Sequence, residues 1–249
     1  MTTKTMDDKA SGNLSQETLS SFPLKKETEG ERKVKFQTAK EVIQEAPTEL
    51  EWLLKFWIPL GAIIAIVGLP KLAGKTTFLL RIVRALVYGG SFMNKMASKT
   101  PVVYLCEGPP QSFVEALREA GLEESVDLHI AYKHQFSKLL WPETINEAAQ
   151  QCADSGAKVL IIDTISSFIR FKGDAENSSS AVIEALDPLK SIAAEGITVI
   201  IVRHARKGAG DIISSGRGSD AFEGEVDHVI RIQRLEAQRE NVRFIDSVG

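Results

Sequence analysis

Residues 62–77 have the types and the spacing that suit the binding of a phosphate group. An apolar run, Ala62–Val67, leads into a loop with glycine and proline, and the loop ends in Gly74-Lys75-Thr76 before an amphipathic segment. Where a strand, a loop and a helix follow in this order, the free N–H groups and the dipole at the helix start favour an anion. Lys75 can add a positive charge for the outer phosphates, and the hydroxyl of Thr76 suits Mg2+. The stretch therefore predicts a phosphate-binding loop.

The spacing of this loop departs from the usual pattern by one residue. The pattern G-x-x-x-x-G-K-[ST] has four residues between its glycines, whereas five residues separate Gly68 from Gly74. We expect the loop to bulge, so that Leu72 or Ala73 protrudes while the lysine still faces the phosphates. In the alternative, Leu69 takes the position of the first glycine, and its backbone must then avoid positive φ.

Polar side chains stand where the predicted strands end. They are Lys75 and Thr76 after the first strand, Glu107 after the second, Asp163 after the fourth and His204 after the fifth. Because the carboxyl ends of parallel strands lie along one edge of a sheet, we expect these groups around the phosphate loop. Asp163 is predicted to hold a Mg2+-bound water near Thr76, and Glu107 to orient or deprotonate an attacking water. For His204 two interpretations stay open, contact with the γ-phosphate and a histidine that only ends its strand.

An arginine flanked by glycines lies in the Gly- and Ser-rich segment after the fifth strand. Glycines on both sides of Arg217 let the backbone approach a charged ligand closely. An arginine on such a loop can stabilise transition-state charge in its own subunit or in a neighbour. Arg203, Arg206 and Lys207 are rival candidates for this role.

The elements that must position these residues follow from the hydrophobic pattern. Alternating buried strands and amphipathic helices predict an α/β fold with a mostly parallel central sheet, helices on both faces and antiparallel strands at the C-terminal end. The predicted strands are Ala62–Val67, Pro101–Cys106, Val126–Tyr132, Val159–Ile162, Thr198–Val202, Val226–Ile232 and Val242–Ile245, and the predicted helices are Thr38–Glu45, Lys75–Tyr88, Gln111–Ala120, Glu143–Ala153 and Ser178–Glu195.

The rest of the chain divides into a tail and one domain. Residues 1–33 are polar and predicted to be disordered, and residues 34–249 are predicted to form the folded domain. The aromatic cluster Trp52–Ile58 is interpreted as a hydrophobic flap over the sheet edge, with a contact to a neighbouring subunit as the alternative.

The composition limits the classes of protein to which the chain can belong. The 249 residues carry a formal net charge of −3 and are 43% hydrophobic, as in ordinary globular proteins. This charge gives no general basic signature, so any contact with nucleic acid must be local. Two isolated cysteines, Cys106 and Cys152, suit a reducing compartment and no metal site. With no apolar signal peptide and no run of membrane-spanning length, we expect a cytoplasmic protein without a membrane partner.

Several stretches carry a family resemblance. They are Trp52–Gly61, Pro70–Thr77, Val103–Glu107, Leu160–Thr164, Val202–His204 and Gly216–Ser219, with Val226-Asp227 after them. On these motifs, residues 36–245 resemble the RecA-like ATPases of the RepA and DnaB helicase branch, in particular the RepA-like group of AAA family ATPases. The resemblance implies a RecA-like P-loop NTPase fold and a homohexameric ring with ATP and Mg2+ at the subunit interfaces.

The resemblance also implies a role for each matching residue. The implied cofactor-binding residues are Gly68, Pro70, Lys71, Ala73, Gly74, Lys75, Thr76 and Thr77; the implied metal ligands are Thr76 and Asp163; and the implied catalytic residues are Glu107, Lys75, His204 as the γ-phosphate sensor and Arg217 as an arginine finger.

The loop Lys207–Ser219 corresponds to the region that contacts single-stranded DNA in such rings. Lys207 with its neighbouring glycines suits contact with a nucleic acid backbone, whereas no aromatic residue there supports base stacking. Contact with DNA and a plain surface loop both stay open. The chain also stops at Gly249, just after a predicted strand, so a C-terminally shortened domain is a further interpretation.

Our leading hypothesis is a Mg2+-dependent ATPase that acts on DNA in replication or helicase-type processes. The alternative is a nucleotide-switched regulatory or binding module with little turnover, which the irregular phosphate loop favours. A small-molecule kinase fits least, because such kinases usually bring a lid with several arginines, and only Arg170 lies between the fourth and fifth strands.

Overall fold

The computed structural model describes residues 36–46, 49–70, 73–169, 179–205, 222–234 and 242–249. The chain divides into two units, Met1–Ala46 and Pro47–Gly249. In the first unit, helix α1 spans Ala39–Glu45 and begins with a reciprocal cap between Thr38 and Glu41, as their spacing predicts. The predicted disordered tail, residues 1–33, lies outside the described residues.

The second unit is an α/β domain whose strands and helices alternate along the chain. Its strands are β1 (Trp52–Leu54), β2 (Ile58–Pro59), β3 (Ile63–Gly68), β4 (Ser91–Phe92), β5 (Lys95–Met96), β6 (Val102–Cys106), β7 (Leu128–Tyr132), β8 (Val159–Asp163), β9 (Thr198–His204), β10 (His228–Gln233) and β11 (Phe244–Val248). Its helices are α2 (Lys75–Tyr88), α3 (Pro110–Ala120), α4 (Trp141–Ser155), α5 (Ile165–Phe168) and α6 (Ser179–Ala194), with a short 3-10 helix at Lys133–Phe136.

Seven of the described strands form one central sheet in the order β11-β10-β3-β9-β8-β6-β7. All neighbouring pairs are parallel except β10 with β11. The inner strands β3, β6 and β8 are buried along their whole length, which is why they read as continuous apolar runs rather than alternating patterns. The predicted mostly parallel α/β sheet is therefore confirmed.

Helices cover both faces of this sheet. Alternate strand residues such as Ile64 and Ile66 pack with apolar residues of α2 and α3. Their neighbours Ile63 and Ala65 point the other way and pack with α4 and α6. Because successive side chains of a strand face opposite sides, each central strand contributes to both halves of the core.

The C-terminal strands differ from their prediction in one respect. β10 pairs antiparallel with β11, as predicted, but it also runs parallel to β3. The connection of residues 205–227 is long enough for the crossover that a parallel strand needs. β10 therefore extends the sheet beside the phosphate loop, and β11 is its antiparallel edge.

The cluster of aromatic residues before β3 forms a small hairpin, β1–β2. Trp57 packs edge-to-face with Phe78 of α2 and with Phe92 of β4, with ring centroids 6.0 and 6.1 Å apart. The hydroxyl of Thr198, at the start of β9, donates to the carbonyl of Pro59 over 2.7 Å. The hairpin therefore packs against α2 and the amino end of a central strand. The flap over a sheet edge and its alternative, a contact to a neighbouring subunit, stay predictions.

Among the residues that the structure describes, no helix combines the length and the hydropathy needed to cross a membrane.

Candidate nucleotide-binding site

The phosphate loop joins the end of β3 to the start of α2. Gly74 precedes the first helical residue with a φ of +75°, in the left-handed region that glycine adopts easily. No side chain of the described residues caps α2, so its first backbone N–H groups stay open to a ligand. Such a helix start is a natural site for phosphate oxygens.

Gly68 lies at the start of the loop, at a position where only a glycine fits. A Cβ atom on Gly68 would lie 2.6 Å from the carbonyl oxygen of Ile232 and 2.7 Å from the Cβ of Ala73. Ala73 is only 1% exposed, and its N–H donates to the carbonyl of Leu69 over 3.4 Å. Ala73 therefore does not protrude, because its methyl group packs against Gly68. The expected bulge stays a prediction, since Leu72, the other residue that could protrude, lies outside the described residues.

The remaining loop predictions have different outcomes. Leu72 and Lys71 lie outside the described residues. Among the residues that are described, those other than glycine with positive φ are Phe56, Met93 and Asn94. Leu69 thus avoids positive φ, as its alternative placement required.

Lys75 reaches back over the loop. Its Nζ donates to the carbonyl oxygens of Gly68 and Leu69 over 2.8 and 3.1 Å, and it lies 3.2 Å from Nδ1 of His204. Burial lowers the pKa of the Lys75 ammonium, although the charges of Asp163 and Glu107 act in the opposite direction. The ammonium thus stands among carbonyl oxygens at the position where phosphate oxygens would be bound.

Asp163 and Thr76 form the pair that was predicted to hold a metal. Oδ2 of Asp163 accepts a hydrogen bond from the Thr76 hydroxyl over 3.0 Å and another from the Tyr104 hydroxyl over 2.7 Å. Burial raises the pKa of Asp163, and these two hydrogen bonds offset only part of that effect. A hydroxyl beside a carboxylate is a donor set that suits a hydrated Mg2+, so the residues present fit this cation.

Glu107 lies directly after β6, beside the end of β8. Its N–H donates to the carbonyl of Asp163 over 2.8 Å. Its Oε2 accepts hydrogen bonds from the hydroxyl of Thr164, over 2.6 Å, and from that of Ser167. Burial pushes the pKa of Glu107 up, but the hydrogen bonds from Ser167 and Thr164 and the charge of His204 bring it below its usual value. Glu107 is thus held as an exposed, ionised carboxylate that can accept a proton.

The strand ends bring the predicted groups together. His204 is the register partner of Gly68 at the end of the β3–β9 pair, and Asp163 is the partner of Cys106 at the end of the β6–β8 pair. Lys75, Asp163, Glu107 and His204 therefore line one edge of the sheet, as the connection rule predicted. Arg217, the predicted finger, and the loop around it lie outside the described residues.

Sequence reasoning missed four residues at this edge. Thr164 follows Asp163 directly and Ser167 comes three residues later, and their hydroxyls were a visible but unspecific signal. Tyr104 sits inside an apolar strand, where it looks like a core residue. The fourth, Arg243, donates from Nε to the carbonyl of Ala73 over 3.2 Å. No local pattern could have found this contact, because it joins the start of β11 to the phosphate loop.

Comparison with known proteins identifies the family and the fold. A family model described as an AAA domain matches residues 28–210. No curated protein matches the sequence. Similar solved structures include a KaiC-like protein from the hyperthermophilic archaeon Pyrococcus horikoshii OT3, with 15% identity, 80% of this chain and 87% of that chain covered, and a TM-score of 0.52. At this identity the likeness concerns the fold, and the predicted RecA-like fold is confirmed. The branch of RepA-like and DnaB-like helicases stays a prediction.

Proposed function

Because the chain belongs to the AAA domain family, we propose that it binds ATP at the phosphate loop and hydrolyses it with Mg2+. One observation carries this proposal: a loop lysine, a buried aspartate and an exposed ionised glutamate stand at neighbouring strand ends. Lys75 contacts loop carbonyls and His204, Asp163 accepts from Thr76, and Glu107 is bonded to the backbone of Asp163. This is the set that phosphoryl transfer to water requires.

Each residue has a defined task in the proposed reaction. The N–H groups at the start of α2 and the Lys75 ammonium bind the phosphates. Thr76 and Asp163 would hold Mg2+, which when bound neutralises charge on the phosphate oxygens. Glu107 orients a water and takes its proton, since its lowered pKa keeps it ionised near neutral pH. His204, beside Lys75, contacts the outermost phosphate.

The finer parts of the proposal rest on the sequence. Arg217 is proposed as a finger that stabilises transition-state charge in a neighbouring subunit, which implies a homo-oligomeric, hexameric ring. The loop Lys207–Ser219 is proposed to contact single-stranded DNA, with a role in replication or helicase-type processes in the cytoplasm. Support for these steps is the resemblance of Gly216–Ser219 to the RepA-like group.

The assignment of Glu107 is tested by Glu107→Gln. The variant keeps the shape and loses the base, so we expect phosphate release to fall by at least about a hundredfold while ATP binding is retained. Glu115→Gln is the matched control, because Glu115 lies exposed on the neighbouring helix α3. Turnover of Glu107→Gln at the rate of this control would contradict the proposal.

A second function is favoured by the contacts of Lys75 and Glu107. Both charged groups are engaged by the protein itself, Lys75 by loop carbonyls and Glu107 by two hydroxyls. Such a site suits a nucleotide-switched module that binds ATP and turns it over slowly. Phosphate release measured with and without single-stranded DNA separates the two functions: stimulation supports the DNA-dependent ATPase, and negligible release under both conditions supports the switch.

A further inference from the structure

Tyr104 carries a hydroxyl group inside the domain and donates it to a candidate metal ligand. The residue is 0% exposed, and its hydroxyl donates to Oδ2 of Asp163 over 2.7 Å. A buried hydroxyl is unfavourable unless it has a hydrogen-bond partner. A phenylalanine would fill the same space in this apolar strand without needing any partner. The tyrosine at this position is therefore matched to Asp163 and not only to the packing of the core.

The register of two neighbouring strands places Tyr104 within reach of Asp163. Strands β6 and β8 are parallel, and Cys106 of β6 is the register partner of Asp163 of β8. Alternate residues of a strand face the same side of the sheet, so Tyr104, two residues before Cys106, lies on the same face as Asp163. Its long side chain extends along the strand and meets the carboxylate at the end of β8. The contact is therefore set by the regular part of the sheet.

The ring of Tyr104 is held from the side of helix α3. It packs against Phe113, with ring centroids 5.1 Å apart and ring planes inclined at 48°, and Phe113 is itself buried. Both residues belong to the apolar cluster between the sheet and helices α2 and α3. Because protein interiors are close-packed, a ring in this position has little freedom to change its rotamer. The hydroxyl therefore has a fixed position, which a group that orients another group must have.

The carboxylate of Asp163 receives both of these hydroxyl donors on one oxygen. It is 7% exposed, and the two hydrogen bonds that described side chains donate to it, from Tyr104 and from Thr76, both end on Oδ2. An ionised carboxylate can accept about four hydrogen bonds on its two oxygens. Two donors on the same oxygen fix the rotation of the group and leave Oδ1 for a further partner. The orientation of Asp163 is therefore decided by these two hydroxyls.

The two donors differ in what they can do when a metal binds. Thr76 is half-buried in the first turn of α2, and its hydroxyl oxygen belongs to the donor set that suits Mg2+. Tyr104 lies inside the sheet and has no exposed surface, so its hydroxyl serves the carboxylate alone. Thr76 can thus contact the cation directly, whereas Tyr104 can act only through Asp163.

We propose that Tyr104 is a positioning residue of the nucleotide-binding site, whose hydroxyl holds the Asp163 carboxylate in the orientation that binds a divalent cation. The inference rests on the proposed function, because that function makes Asp163 a metal ligand. A group that hydrogen-bonds a metal ligand orients it before the cation arrives, and its loss weakens metal binding by about 10- to 100-fold. Because Tyr104 contacts neither the phosphates nor the cation, it changes the affinity for the metal and not the affinity for the nucleotide.

Metal binding to the full chain tests this inference without any measurement of hydrolysis. Mn2+ is the probe, because electron paramagnetic resonance distinguishes free from bound Mn2+, and ADP is present to complete the site. We expect Tyr104→Phe to raise the dissociation constant of Mn2+ about tenfold or more, and to bind ADP like the wild type when a chelator removes divalent cations. Tyr88→Phe is the matched control, because Tyr88 ends α2 and is 46% exposed, and it should bind Mn2+ like the wild type.

A double-variant cycle separates positioning from a general loss of structure. Asp163→Asn weakens Mn2+ binding by itself, and because Tyr104 acts through Asp163, the addition of Tyr104→Phe should cause no further loss. An equal loss in both backgrounds would overturn the inference. Phe113→Leu tests the same orientation from the other side, since it keeps the hydroxyl and removes the ring that holds it, and we expect a smaller loss of Mn2+ affinity. Wild-type affinity in both Phe113→Leu and Tyr104→Phe also overturns the inference.

Kinetics and metal binding together distinguish failure of the inference from failure of the proposed function. In steady state we expect Tyr104→Phe to raise the KM for Mg2+, while kcat at saturating Mg2+ stays within about twofold of the wild type. If the wild type and Tyr104→Phe bind Mn2+ equally, the inference is overturned and the proposed function stands. If the wild type binds no Mn2+ in the presence of ADP, both are overturned. Mn2+ binding that depends on Tyr104 in a chain that hydrolyses no ATP supports the inference and overturns the proposed hydrolysis alone.

Discussion

At the scale of single residues, two carboxylates that follow adjacent strands have opposite pKa shifts. Burial raises the pKa of Asp163, whereas hydrogen bonds from Ser167 and Thr164 outweigh burial and lower that of Glu107. The two shifts therefore act against the ordinary order, in which a glutamate takes up its proton at a higher pH than an aspartate.

The raised pKa of Asp163 predicts the origin of the acid limb of the ATPase pH profile. We expect the limb to lie above the ordinary aspartate pKa of about 3.9, because it reports Asp163. Saturating Mg2+ should move it to lower pH, since the cation competes with the proton for the same carboxylate. The measurement is kcat and the KM for Mg2+ across the acid range. If the pH of the acid limb does not change with the Mg2+ concentration, the titration is assigned to Glu107 instead.

Asp163→Asn is the control for this prediction. Because the folded state raises the pKa of Asp163, its protonated form favours folding, and this contribution is present at low pH and lost as the pH rises through the folded pKa. The neutral amide should therefore abolish the Mg2+ dependence without lowering the free energy of unfolding at neutral pH.

Single residues also show where prediction from the sequence ends. Asp163 and Glu107 were predictable because a charged residue directly follows a buried apolar run. Tyr104 was not, because one hydroxyl inside such a run has no periodic signal, and its partner lies on the neighbouring strand β8. Functional residues at strand ends could thus be predicted from the sequence, whereas hydrogen bonds between neighbouring strands could not.

At the scale of elements, β10 and β11 hold the phosphate loop from one side. The carbonyl of Ile232 in β10 approaches Gly68 so closely that no side chain fits there. Arg243, just before β11, donates to the carbonyl of Ala73. The same two strands are joined by Arg231, whose guanidinium pairs with Glu223 over 2.7 Å and with Asp246 over 3.3 Å.

These two arginines predict separable effects. Arg243→Gln releases the loop carbonyl, so we expect the KM for ATP to rise several-fold with little change in kcat or in the free energy of unfolding. Arg231→Gln removes the ion pair to Asp246 of β11 and the ion pair to Glu223, and it should cost about 1 kcal/mol of stability with the KM unchanged. Steady-state kinetics and urea unfolding of both variants provide the check. Equal effects of the two variants on KM would contradict a specific role for Arg243.

The conformation of the loop shows the limit of sequence prediction for elements. Its flanking strand and helix were predicted within a residue, because the apolar run and the amphipathic segment are long. Ala73 does not protrude, since it packs against Gly68 and its carbonyl accepts a hydrogen bond from Arg243, and the bulge at Leu72 stays a prediction. The contact from Arg243 joins residues far apart in the chain, and no local pattern contains it.

At the scale of the whole molecule, the central question is whether one chain holds a complete catalytic site. The phosphate loop, Asp163, Glu107 and His204 all lie on one sheet edge of a single chain. The predicted finger Arg217 lies outside the described residues, and the sequence proposes that it reaches a neighbouring subunit. The sequence could predict the sheet and its functional edge, but assembly depends on surfaces without a periodic signal.

Mixing two inactive variants tests the shared site. Arg217→Ala should lack the finger and Lys75→Ala should lack phosphate binding, so each is expected to be inactive alone. In mixed assemblies, some sites combine an intact loop with an intact finger, and we expect activity to return to a fraction of the wild-type rate. The control mixture contains two double variants, Lys75→Ala with Arg217→Ala and Glu107→Gln with Arg217→Ala. Because both lack the finger, no intact site can form in this mixture. Native mass of each mixture confirms assembly, and no recovery in the test mixture would contradict a finger acting between subunits.

The contact from Arg243 to the phosphate loop has a consequence for the edge of the sheet. Among the described strands, β11 pairs with β10 alone, so its backbone amides should exchange with solvent through local opening. A nucleotide that binds only the closed loop stabilises every contact the loop makes, including the one to Arg243. We therefore expect ATP or ADP to slow hydrogen–deuterium exchange across Phe244–Val248, and Arg243→Gln to remove this protection while leaving that of α2 intact. The last strand would then report nucleotide occupancy at a distance from the phosphates.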